Sequence, residues 1–131
     1  MNGETVRIST CLVFVLFPLA VYAAVPSIVI KSQNTLNDQV ALATNPSLMK
    51  DAKRLRSTKS DLDARALEWK VVPENLKDNF SACRDALERA SYVAELSAMK
   101  ANQGLNDRVF DLEKAKLNKL ADQCRRYTAG G

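Results

Sequence analysis

The stretch SACRDALERA, Ser81 to Ala90, sets Cys83 among alanine, leucine and opposite charges, and ADQCRR, Ala121 to Arg126, sets Cys124 in similar company. Leu76, Phe80, Cys83, Leu87, Ala90 and Ala94 recur at steps of four and three, the period of one face of an α-helix. Phe110, Leu117, Leu120, Cys124 and Tyr127 form a second such face. Between them, Asn102-Gln103-Gly104 supplies a helix terminus and Asn106-Asp107 a new N-cap.

A fold-back between Gln103 and Gly104 brings together residues whose numbers add up to 207. Cys83 then meets Cys124, Leu87 meets Leu120, Ala90 meets Leu117, Phe80 meets Tyr127 and Ser97 meets Phe110. Large residues fall opposite small ones at the Ala90 layer, as close packing requires. One layer breaks the seam, where Ala94 faces Glu113. A single coiled-coil rod fits less well, because two heptads on from Ser97 lies Asp111 and not Phe110. The two cysteines are therefore expected to form a disulfide across an antiparallel helical hairpin. In the chain-entropy account, closing a loop of roughly 40 residues stabilises a fold by about 4 kcal/mol.

Upstream, Asn45 suits an N-cap and Pro46 the first helical position, where a missing N–H costs nothing. Leu48, Leu55, Leu62 and Trp69 then repeat every seven residues, with Ala52 and Ala66 between them, predicting one helix as far as Lys70. A kink is expected at Ser57 to Ser60, where helix propensity is poor, and Lys59 lies in the stripe, where it must extend its ammonium to water. Val71-Val72-Pro73 ends that helix, and Pro73 with Glu74 opens the one carrying Cys83. Leu36, Val40 and Ala43 suggest a short helix from Ser32 to Ala43, preceded by an extended lead-in from Val25 to Ile30. The fold class is thus a small all-α protein: a three-helix bundle, with a short extra N-terminal helix as an option, containing a disulfide-stapled hairpin.

The N-terminus reads as an export signal. Residues 11–24, CLVFVLFPLAVYAA, carry no charge and end in small or β-branched residues suited to cleavage after Ala23. The chain of 131 residues then divides into a signal peptide at 1–23, a lead-in at 24–44 and a helical domain at 45–131. The alternative is a retained single-pass anchor over residues 11–30, an uncharged run of about 20 residues. Pro18, Pro26 and Ser27 count against one continuous spanning helix. An exported product is periplasmic or secreted, where disulfides persist, and it leaves Cys11 behind with its signal.

The chemistry-bearing residues are few. Histidine is absent, which removes the commonest general base and metal ligand, and no CxxC spacing occurs. Ser47 with Lys50 and Ser97 with Lys100 match S-x-x-K, but the chain is too short for a serine β-lactamase, and the S-D-N and K-T-G elements are missing. Arg84 with Glu88, Asp85 with Arg89 and Asp122 with Arg126 read as i,i+4 ion pairs of a solvated surface. Glycines occur only at positions 3, 104, 130 and 131, so no phosphate-cradling loop is present. Neither catalysis nor a cofactor or metal is expected, and Asn79-Phe80-Ser81 is a lone glycosylation sequon.

Charge is more informative, with a net +4. Lys50, Lys53, Arg54, Arg56 and Lys59 fall within ten residues opposed only by Asp51, a cluster that reads first as a solvated helix face and otherwise as a candidate face for anionic lipid, lipopolysaccharide, a cell-wall polymer or nucleic acid. No aromatic interleaves with them, so nucleic-acid stacking is not suggested. The expected function is that of a non-catalytic interaction protein (adaptor, inhibitor or chaperone-like binder) whose partner is another protein. An anionic-surface binder and a membrane-anchored helical linker are the alternatives.

Overall fold

The computed structural model describes residues 25–129. The expected signal peptide, its cleavage site and most of the alternative anchor lie outside the described residues. Six α-helices follow in order: α1 (Ser27–Ala43), α2 (Pro46–Met49), α3 (Ala52–Glu68), α4 (Glu74–Asn79), α5 (Ser81–Gln103) and α6 (Asp107–Ala129), with a 3-10 turn at Trp69–Val71.

The two halves of the hairpin are where the spacing put them. Gly104 takes a left-handed conformation (φ 72°), which costs a residue without a Cβ little and lets the chain reverse. Asn106 then caps α6, its Oδ1 accepting from the Arg108 N–H at 2.8 Å. Cys83 and Cys124 are bonded, their Cα atoms 4.7 Å apart, and both are fully buried. The Phe80 and Tyr127 rings meet edge to face with centroids 4.9 Å apart. Leu87, Ala90 and Leu117 are fully buried, and Leu120 packs against the same core.

The layer that breaks the seam resolves itself by rotation. Ala94 turns away from α6 to join Ala43 and Met49 in a second small core. Glu113 reaches instead to Arg89, Oε2 to Nη1 at 2.5 Å, and to Lys116 at 2.9 Å. Ser97 also turns, donating to the Ala43 carbonyl at 2.5 Å.

Helix α5 is the hub of the bundle. It packs against α6 on one side and α3 on the other, with α1 lying over it and touching both flanking helices. The core gathers Val29 and Leu36 from α1, Leu62 from α3 and Trp69 from the turn beyond it, with Val93 and Leu96 from α5 and Phe110 from α6. Burying each such side chain contributes about 1.5–3 kcal/mol.

Several boundaries differ from the expectations. The optional N-terminal helix is a full member of the bundle: α1 starts at Ser27, and Val29 within the supposed extended lead-in is fully buried. The break upstream of Trp69 lies at Lys50-Asp51, not at Ser57 to Ser60. Asp51 adopts an extended conformation (ψ 112°) and its Oδ1 accepts from the Lys53 N–H at 3.0 Å, so a capping aspartate outweighs weak propensity. Ala52 is exposed, whereas Met49 is buried. Phe80 (φ −124°, ψ 27°) interrupts what the periodicity reads as one helix from Pro73, separating α4 from α5.

Candidate interaction surface

The five cations of the basic cluster have different fates. Lys50 follows α2, Lys53, Arg54 and Arg56 occupy the first two turns of α3, and all four are exposed. Among the described residues, none of the four has a carboxylate partner within 4.0 Å. Lys59 does not extend to water as expected. Its Nζ crosses to α5, donating to Ser91 Oγ at 2.9 Å and pairing with Glu95 Oε1 at 3.1 Å. Its side chain retains 26% of its exposure. The structure therefore divides the sequence cluster into four outward cations and one interhelical tie.

An open groove of about 440 Å³ runs beside the four, lined by Gln39, Leu42, Asp51, Lys53, Arg54, Ser57 and Thr58. Its walls carry both signs of charge, since Asp51 stands in the floor next to Lys53 and Arg54.

Other candidate groups are tied into the fold. Ser97 of the second S-x-x-K tetrad is fully buried and spends its hydroxyl proton on Ala43, while Lys100 pairs with Asp107 at 2.6 Å and lies over the Phe110 ring. Ser47 is exposed at the start of α2, its N–H held by Asn45. The anticipated i,i+4 pairs give way to others: Arg84 pairs with its neighbour Asp85, Arg89 with Glu113 across the hairpin, and Asp122 with Arg125. Arg126 is exposed, as is Asn79 of the sequon at the end of α4. Among the described residues, no three of His, Cys, Asp and Glu gather as a metal site would need.

One carboxyl is electrostatically distinctive. The hydrogen bond from Lys116, opposed by burial and supported by the charge of Arg89, holds Glu113 below the ordinary carboxylate range.

Sequence periodicity missed a set of buried polar contacts. The Trp69 indole N–H donates to Ser32 Oγ at 2.9 Å, and Ser32 in turn donates to the Ile28 carbonyl at 2.7 Å. Gln33 Nε2 donates to the Cys124 carbonyl at 2.8 Å, and Thr128 donates to Gln33 Oε1 at 3.2 Å. A polar pair placed on the Leu36 face of α1 was the available signal.

The chain matches no family model, no curated protein and no solved structure.

Proposed function

We propose that the protein is an exported, non-catalytic interaction protein working in the periplasm or extracellular space as an adaptor, inhibitor or chaperone-like binder. The observation that carries this reading is the buried Cys83–Cys124 bond, which braces the two longest helices covalently. Such bonds persist where thiol-reducing systems do not reach. A braced helical surface is preorganised, so a partner binding to it spends little free energy on ordering it. Ser97 and Lys100 of the second S-x-x-K tetrad support the same reading, because that hydroxyl and that ammonium are held in contacts within the fold.

Measurements of the covalent state, the N-terminus and turnover test it. Intact mass and thiol labelling of the exported protein should show one disulfide, and N-terminal sequencing should show cleavage after Ala23 and not a retained segment. Broad hydrolase and transferase screens on the purified oxidised protein should show no turnover. Two free thiols, or a substrate consumed, would remove the proposal.

A further inference from the structure

We propose that the corner formed by the end of α2 and the first two turns of α3 docks on the headgroups of an anionic phospholipid bilayer through Lys50, Lys53, Arg54 and Arg56. This deepens the interaction reading and rests on it.

The order of charge along α3 points to a ligand. A helix is stabilised by acids in its first turn and bases in its last. This one departs from that order at its start: behind the capping Asp51, its first two turns carry Lys53, Arg54 and Arg56 and its first turn no acid, while its C-terminal half mixes Asp61, Asp63 and Glu68 with Arg65. The three leading cations oppose the helix dipole, so the fold gains nothing from them there. Departures from a local rule fall preferentially at functional sites.

Lys59 has a different fate from its neighbours. The fold takes this one member of the cluster for an interhelical bond to Ser91 and Glu95, and leaves the other four facing solvent without carboxylate partners among the described residues. The result is a patch of four outward cations within seven residues, opposed there only by Asp51.

The composition of the patch selects the occupant. No aromatic stands in the patch, and Leu55 points its half-buried side chain towards the small core with Met49, so neither base stacking nor a wedge into acyl chains is available. A polyanion strand laid in the adjoining groove would meet the Asp51 carboxylate. Lys50 and Arg56 do not line that groove, and a flat surface of mobile headgroups meets all four exposed side chains without entering it. Each basic residue near such a surface contributes roughly fivefold to the affinity, which gives a reversible association.

The test is co-sedimentation of the oxidised chain as exported, beginning at Ala24, with vesicles of phosphatidylcholine alone and of phosphatidylcholine mixed with phosphatidylglycerol in equal parts. Binding should favour the phosphatidylglycerol vesicles and fade as salt shortens the Debye length from about 10 Å at 0.1 M towards about 3 Å at 1 M. Replacing Lys53, Arg54 and Arg56 together by Gln should weaken that binding on the order of a hundredfold. The same charge removed from α6, by Arg108→Gln, Lys119→Gln and Arg126→Gln together, should leave most of it. Arg54→Glu should raise the unfolding midpoint by a few degrees, up to about 4 °C, since it completes an Asp51-x-x-Glu capping pattern, and it should reduce binding.

Equal binding to both vesicles, equal loss in the α6 control, preference for polyphosphate or DNA over vesicles, or a lowered midpoint in Arg54→Glu would each overturn the proposal. In any of those cases the interaction reading stands on its own tests. Turnover of a substrate would strike that reading without touching the vesicle result.

Discussion

The hairpin of α5 and α6 and the pair formed by α1 and α3 are held together differently. In the hairpin, contiguous chain folds at Gly104, an apolar seam closes with residues at mirrored positions, and a disulfide locks the far end. The α1–α3 pair has a leaner apolar interface and adds directional polar contacts: Trp69 to Ser32, Gln39 to Asp61 at 3.1 Å and Arg65 to Thr35 at 3.1 Å. Further polar contacts fasten this pair to the hairpin, through Gln33 to the Cys124 carbonyl, Ser97 to the Ala43 carbonyl and Lys59 to Ser91. Apolar seams supply most of the driving force and are tolerant of small rotations. Buried hydrogen bonds contribute less net energy, but a wrong rotation leaves a polar group unpaired, so they select one arrangement.

The largest expected effect breaks the hairpin side of that contrast. Cys83→Ala together with Cys124→Ala should cost about 4 kcal/mol in urea unfolding against the oxidised parent, the amount expected for a loop of this length. Hydrogen exchange should rise at the Tyr127 end of α6 more than near Gly104. A loss below about 1 kcal/mol would show the seam alone to be sufficient.

Deleting one polar tie sharpens the other side. Ser97→Ala should cost about 1–3 kcal/mol, because the buried Ala43 carbonyl loses its donor. Its signature is local: exchange should increase at the C-terminal end of α1 while the hairpin amides keep their protection. A double-mutant cycle of Ser32→Ala with Trp69→Phe should return a coupling of roughly 1 kcal/mol, and a coupling of zero would reduce that contact to coincidence.

The smallest effect is electrostatic. Glu113 is held below the ordinary range in the folded chain by the Lys116 hydrogen bond, against burial and with Arg89 assisting. The unfolded chain binds its proton first as pH falls, so this stabilisation is complete above the ordinary glutamate value of about 4.3 and is lost as pH drops through the lower folded value. Glu113→Gln should therefore flatten the acid limb of the stability curve and change little at neutral pH beyond the loss of the bridge. An unchanged acid limb would show that the carboxyl is not held by its two partners.

Much of this architecture was legible in the residues themselves. The hairpin, its bend and its crosslink follow from steps of three and four and from a glycine between two stripes, all of them local or mirrored about one point. The four outward cations were legible too, as part of a cluster of five. What the residues did not disclose was the full extent of α1, since its buried face includes Ser32 and Gln33 alongside Val29 and Leu36, and polar residues there mask the apolar pattern.

Sequence alone determined that the chain is helical, where it turns back, and which cysteines meet, because these depend on backbone preference and on spacing along one chain. Only the tertiary structure decided that Lys59 is a tie and its four neighbours are a surface, that Ala94 belongs to a second core, and that Trp69 answers Ser32. Those outcomes depend on the angle at which each helix faces its neighbours. That angle is set by packing among segments that are distant in sequence, so the period of any one segment leaves it open.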